Sequence, residues 1–498
     1  MAALRNIIEI VCFYGKVSPF LEPNSRNSFE FLYIKELEAM EPSRLLDSVK
    51  HIHFVGIGGS GMCPLAEILF HRGFVITGSD MSESDTLERV RGYGIPVHMG
   101  HRAENIQGAE LVVYTAAVKQ DNPELVAARE QNIPTVERSV LLGMVTDRYP
   151  DSIAVSGTHG KTTTTGMITQ LLVSAGRDPS AVIGGKLPFI GTNGRAGKSD
   201  VMVCEACEYV DTFLHLHPAI SVILNVDADH LDYFKNLENI IKSFRQFACQ
   251  TSRLLIVNGD DANSLKAVEG LTHAKIITFG FESSNDYSAA EIADTKGARE
   301  EFTLMKKGQP LCRIELSVPG RHNIFNALAA AAVADQMGVP AEEIAKGLHA
   351  FTGVHRRFEV LGQFDGVTVA DDFAHHPTEL TATLTAAMDM GFHEVWAVFQ
   401  PHTFSRTYLL LDDFAKALSI PDHVVMTEIL PVREENIYGI HTSDLAAKVP
   451  GSCWFDSFEK IADYVMEKAQ PGDLILTLGG GDIYKCANLI VSRYKARG

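Results

Sequence analysis

Ile153-Ala154-Val155-Ser156-Gly157-Thr158-His159-Gly160-Lys161-Thr162-Thr163 decides how the chain is read. An apolar run enters a short glycine-containing turn that ends in Gly-Lys-Thr, and a helical pattern follows to residue 172. Such a turn aims consecutive backbone N–H groups at one point beside the positive end of a helix. Lys161 adds a mobile cation, and the Thr162 hydroxyl is placed to ligate Mg²⁺. Residues Gly157, Thr158, His159, Gly160, Lys161, Thr162 and Thr163 therefore read as a cradle for a nucleoside triphosphate. The loop is shorter than the common eight-residue pattern, because its first glycine is Gly157. A turn that merely joins strand to helix is the plainer reading, and the Gly-Lys-Thr in a strand–turn–helix context speaks against it.

A second glycine turn lies upstream. The apolar residues 51–55 enter Gly56-Ile57-Gly58-Gly59-Ser60-Gly61-Met62, and a helix pattern runs to residue 70. Gly56, Gly58 and Gly61 make a G-x-G-x-x-G, and Asp80 stands 19 residues beyond Gly61, after a strand at 75–77 that ends in Gly78-Ser79-Asp80. That arrangement suits a pyrophosphate at a helix N-terminus, with NAD the leading candidate from these residues alone. Glycines needed only for tight strand–helix packing are the alternative.

Downstream, polar residues cluster where predicted strands end, which is where open α/β sheets bind ligands. The strand at 201–204 ends at Glu205, and the strand at 221–224 runs into Asn225-Val226-Asp227-Ala228-Asp229-His230. A carboxylate facing the phosphate loop suits Mg²⁺, whereas His230 fits better as a group orienting water or touching phosphate. Cys204 and Cys207 form a lone C-x-x-C without a second pair, so a packing role is expected. Gly320-Arg321-His322-Asn323-Ile324-Phe325-Asn326 precedes an alanine-rich helix at 327–334. Residues 351–358 carry Arg356 and Arg357 at what reads as a domain junction. A third α/β unit follows, with Asp371, Asp372, His375 and His376 after one strand and His402 to Arg406 after another.

The 498 residues suffice for roughly three domains. A net charge of -18 argues against nucleic acid as a partner. No apolar run is long enough to cross a bilayer, and eight scattered cysteines fit a reducing cytoplasm. Residues 1–47 carry no motif and are expected to be an extension outside the fold, with a signal peptide the less favoured reading.

Together these motifs resemble the Mur ligases, ATP-dependent amide-forming enzymes of peptidoglycan synthesis. The resemblance covers nearly all of residues 50–498. It implies an α/β chain of three domains: a Rossmann-like domain at 48–150, a central P-loop ATPase-type domain with a mostly parallel sheet at 151–350, and a Rossmann-like domain at 351–498. It replaces NAD at the first turn by a UDP-sugar, held by Gly56, Gly58, Gly59, Ser60, Gly61, Ser79, Asp80 and Thr115. It implies ATP on residues 157–163 with Asn326 at adenine and Arg357 at phosphate, Mg²⁺ on Thr162, Glu205 and His230, and catalytic roles for Lys161, Glu205 and His230. The amino acid falls to His375, His376 and Arg406, and many relatives carry Arg where this chain has Thr403. The member it is most like joins L-alanine to UDP-N-acetylmuramate, acting as a monomer or homodimer without membrane insertion. A ligase that adds a tripeptide to the same sugar, an NAD-dependent oxidoreductase and a nucleotide-binding regulator are the competing readings.

Overall fold

A computed structural model describes residues 42–293, 299–432 and 434–497. The expected extension at 1–47 lies outside the described residues up to position 41. From residue 49 onward the chain forms three sheets, each apolar at its centre because its strands are covered on both faces.

The first sheet is parallel throughout, in the order Val97–Met99, Val75–Asp80, His51–Val55, Leu111–Tyr114, Thr135–Glu137. Strand order reverses at His51–Val55, so the crevice beyond its carboxyl end opens beside the Gly56 turn.

The second sheet has ten strands. Its middle is parallel, from Lys275–Gly280 through Leu254–Asn258, Ile220–Ile223, Asp151–Ser156 and Val201–Glu205 to Ser180–Leu187. Antiparallel pairs extend both edges. Asp151–Ser156 is near the centre, between the strands that end at Glu205 and Ile223, so the phosphate loop, Glu205 and the Asn225–His230 segment leave the sheet on one edge. The helix Lys161–Ser174 packs on Arg321–Gln336. The latter starts six residues earlier than the alanine run suggests. It is buried almost all round, as a helix apolar on every face must be. Its early start places Asn323 and Asn326 one turn apart on one face, where Asn326 Nδ2 donates to Asn323 Oδ1 at 3.0 Å.

The third sheet has six strands, parallel except for the edge strand Glu359–Phe364. Val367–Asp372, Leu474–Leu478 and Val395–Phe399 form its centre. Cys204 is buried in the second sheet and Cys207 lies beyond its strand end; both thiols are free.

The first and second sheets meet closely where the helix Arg138–Thr146 lies on the 3₁₀ segment Tyr209–His215. A Cβ on Gly143 would lie 2.1 Å from the His215 carbonyl oxygen, so only glycine fits. Gly143→Ala must separate the two backbones, and an overpacking cost of ~1–3 kcal/mol is expected. Calorimetry checks it: a lowered melting temperature is the expected outcome, and an unchanged one contradicts this packing.

Candidate active site

Two glycines set the phosphate loop. Gly160 caps the helix Lys161–Ser174 at φ +83°, and a Cβ there would lie 2.5 Å from Asn326 Oδ1. Gly157 has φ +142° and a Cβ would meet Leu224 at 2.8 Å. Both are conformations that a side chain would strain.

Lys161 Nζ donates to the carbonyls of Gly157 at 2.5 Å and Thr158 at 3.1 Å, and to both Glu208 oxygens at 3.1 and 2.9 Å. Burial works against its charge, but Glu208, Cys207 and Glu205 outweigh it and hold the ammonium protonated. Glu205 accepts from the Gly184 N–H and bonds the Thr162 hydroxyl. Burial pushes its carboxyl up, against the pull of Lys161 and Arg357. His230, at φ +54°, has Nε2 3.9 Å from Glu208 and 3.7 Å from Asp229, and its ring packs on Tyr209.

These groups share a cavity of about 460 Å³ with residues of all three domains: Ser60 from the first, Lys161, Thr162, Glu205, Glu208 and His230 from the second, Arg357, His375 and Glu379 from the third. A second cavity of about 440 Å³ opens on the other side of the loop. Thr163, Asn225, Asn263, Phe279, Phe325 and Arg357 line it. Asn326 borders it too, but its amide already binds Asn323 and accepts from the Thr164 hydroxyl at 3.1 Å.

Three contacts tie the third domain to the phosphate side. Arg406 donates to both Asp229 oxygens, at 3.0 and 3.3 Å, with both side chains nearly buried. Burial opposes the Asp229 charge, yet Arg406 holds its carboxyl below the usual range. His159 bridges Glu379 at 3.2 Å and Asp227 at 3.4 Å. The Thr378 hydroxyl donates to Asp227 at 2.9 Å. His375 bonds the Phe373 carbonyl at 2.9 Å, and burial pushes it down to about 3. His376 is lowered as well, chiefly by burial. Both imidazoles are thus neutral at pH 7. Arg356 serves its own domain, binding Asp371 and the carbonyls of Gly479 and Gly481. Arg357 rests over the Phe373 ring and faces both cavities.

At the first turn, Asp80 accepts from the Gly58 N–H at 2.9 Å, and a Cβ on Gly58 would strike that carboxylate. The Thr115 hydroxyl accepts from Ala117 N–H, and Gly59 is held by a turn back to Gly56. Ser79 acts through its backbone: its carbonyl accepts from Gly56 and Ile57, while its buried hydroxyl donates to Glu124 at 2.6 Å. Beside Gly61 stands Arg138, which with Ser60 and Gly61 lines a cavity of about 170 Å³.

Sequence reasoning left Arg138, Glu208, Asp229 and Glu379 without roles. A signal existed for Glu379: Pro377 opens a helix after His376, and an acid at its third position marks a helix start.

Three family models match consecutive parts of the chain. The Mur ligase family catalytic domain matches residues 51–150, the Mur ligase middle domain 155–334, and the Mur ligase glutamate ligase domain 356–481. The chain belongs to the Mur ligase family. It is 45 % identical over 469 residues to the UDP-N-acetylmuramate–L-alanine ligase of Acetivibrio thermocellus, covering 92 % of this chain and 98 % of that protein. Among solved structures it resembles the UDP-N-acetylmuramate–alanine ligase of Thermotoga maritima, with TM-score 0.76, 29 % identity and coverage of 90 % and 100 %. It also resembles a murein peptide ligase of Psychrobacter arcticus, with TM-score 0.68, 25 % identity and coverage of 89 % and 98 %.

His159 yields a pH prediction. Burial lowers its pKa, but Asp227 and Glu379 reverse that and raise it to about 9. An unfolded histidine titrates near ~6.5. The raised value stabilises the fold fully below about pH 6.5, and that contribution is lost as pH rises through about 9, up to roughly 3 kcal/mol. With chelator and no nucleotide, melting temperature should fall across that window, and His159→Gln should flatten the fall. An equally steep fall in the variant contradicts the assignment.

Proposed function

We propose that this chain joins L-alanine to the carboxylate of UDP-N-acetylmuramate at the expense of ATP. The observation that carries the reading is the single chamber where Ser60, Lys161, Glu205 and Arg357 meet, because the reaction needs a sugar nucleotide, a triphosphate and an amine in one place. The identity of 45 % to a curated ligase of that name supports the same reading.

The lactoyl carboxylate of the sugar nucleotide attacks the γ-phosphorus of ATP, giving an acyl phosphate and ADP. The amine of L-alanine then attacks the acyl carbon, and inorganic phosphate leaves. Two anions must approach in the first step, so cations must cancel their repulsion. Lys161, held charged by Glu208, and Arg357 are the residues assigned to that work. The backbone N–H groups of residues 157–163 bind the phosphates, and the turn at 56–61 with Asp80 and Arg138 binds the UDP-sugar pyrophosphate and its surroundings.

The hard oxygens of Thr162 and Glu205 suit Mg²⁺, with His230 beside them, and a bound Mg²⁺ would supply further charge neutralisation on phosphate. Asn326 shapes the loop from beneath, with adenine assigned to the cavity bordered by Phe279 and Phe325. Arg406 is assigned to the alanine carboxylate, shared with Asp229, with His375 and His376 nearby. Domain limits near 48–150, 151–350 and 351–498, a cytoplasmic location and a monomer or homodimer complete the reading. Among the described residues no helix is long and apolar enough to cross a membrane.

Lys161→Ala should abolish ligation while calorimetry still detects UDP-N-acetylmuramate, because the two loops stand on different sheets. Loss of sugar-nucleotide binding would contradict separate sites. With wild type, mass spectrometry should show alanyl product, weaker glycyl and seryl products, and none from the L-Ala-γ-D-Glu-diaminopimelate tripeptide. Glycine leaks through because one methyl is worth only ~1–3 kcal/mol. Faster ligation of the tripeptide would reassign the chain to peptide recycling.

A further inference from the structure

Just beyond Glu205 the chain turns back on itself at a corner that residues other than glycine rarely form. Val210 has φ +53° and ψ +32°, and Asp211 has φ +57° and ψ +24°. Two successive left-handed residues are uncommon, and a β-branched residue such as Val210 is a true outlier there. Such a conformation persists only where its surroundings over-determine it. The Asp211 N–H donates to the Glu208 carbonyl at 2.9 Å, and the Phe213 N–H donates to the Cys207 carbonyl at 2.9 Å. The Asp211 carboxylate accepts from the Tyr233 hydroxyl at 2.6 Å and from the Ser243 hydroxyl. The Phe213 ring stacks on Phe247 with centroids 4.8 Å apart. Tyr233 belongs to the short helix Leu231–Phe234 that follows His230, so Asp211 ties the corner to the segment carrying His230. The side chain that the corner aims is Tyr209, whose ring lies on the His230 imidazole with centroids 4.5 Å apart and planes tilted by 39°.

The His230 ring depends on that contact. Among the described residues neither of its nitrogens has a partner at hydrogen-bond distance, and Nε2 stands 3.9 Å from Glu208 and 3.7 Å from Asp229. A functional imidazole is commonly oriented through one ring nitrogen, by a carbonyl or a carboxylate. Here an aromatic face takes that part, and tilted ring pairs at this separation attract. The placement matters because His230 lies between the Glu208 that binds Lys161 and the Asp229 that binds Arg406. From this geometry we propose that Tyr209 is a positioning residue for ligation: its ring holds the His230 imidazole where the phosphate and amine sides meet, and the strained Val210–Asp211 corner holds Tyr209. The proposal rests on the ligase reading. It assigns Tyr209 no contact with substrate, so truncating the ring should lower turnover and spare binding.

The test uses the full chain with ¹³C-labelled histidine rings, free of metal and nucleotide, and the His230 signal is identified by its loss in His230→Gln. Ring order on the ps–ns timescale is measured by NMR relaxation. Wild type and Tyr209→Phe should show an ordered His230 ring, and Tyr209→Ala a mobile one. Phosphate release is then followed with ATP, UDP-N-acetylmuramate and L-alanine. In Tyr209→Ala kcat should fall by about tenfold or more, the size common when a group orienting a site residue is removed, while KM for ATP and for the sugar nucleotide stays within about twofold of wild type. Tyr209→Phe should keep the wild-type kcat, because the ring and not the hydroxyl makes the contact. Circular dichroism confirms that each variant is folded. An equally ordered ring in Tyr209→Ala, a mobile ring in wild type, an unchanged kcat in Tyr209→Ala, or a kcat in Tyr209→Phe as low as in Tyr209→Ala would overturn the proposal. A wild type that releases no phosphate defeats the ligase reading itself, and the relaxation result then decides alone: an ordered ring in Tyr209→Ala overturns the positioning contact, and a mobile one upholds it.

Discussion

The ammonium of Lys161 is the charge around which the chamber is built. It sits in a mostly buried site at the mouth of the phosphate loop, and both oxygens of the buried Glu208 lie within 3.1 Å. An isolated ion there would lose its charge. Glu208 lets it stay charged, and the carbonyls of Gly157 and Thr158 fix its position. The loop must then take a shape that brings those carbonyls round, which is why residues 157 and 160 are glycines. Asn326 presses from below, against the one residue that has no side chain to obstruct it.

The same economy governs the seam between the second and third domains. Asp227 and Asp229 leave one strand end, and each meets a group from the third domain: Thr378 for Asp227, Arg406 for Asp229. His159 adds a link from the loop itself to Glu379. Removing one partner of the nearly buried Asp229–Arg406 pair would leave the other charge stranded, which costs more than an exposed pair ever contributes. The third domain is therefore coupled to the phosphate loop through Glu379, and to the Asp227–Asp229 segment through Thr378 and Arg406.

Much of this was legible in the chain. The Gly56 and Gly157 turns follow strands and open helices, as their glycine spacing implies. The clusters after Cys204, Leu224 and Ala370 lie at strand ends that face one chamber. What periodicity could not reveal is pairing across domains. Nothing in the local pattern connects Arg406 to Asp229, or His159 to Glu379, because those contacts depend on how two sheets are set against each other. The helix at Arg321 was read as starting too late, since its first turn is polar and its burial comes from packing on Lys161–Ser174. Nor does the local pattern connect the Ser79 hydroxyl to the buried Glu124, a contact that spans 45 residues.

If one chamber couples sugar nucleotide, triphosphate and amine, release of phosphate depends on all three, and it is the direct measurement. It should be followed with ATP, UDP-N-acetylmuramate and L-alanine together, and again with each omitted in turn. Steady release only in the complete mixture is the predicted result. Equal release from ATP alone, or from ATP with L-alanine and no sugar nucleotide, would contradict it.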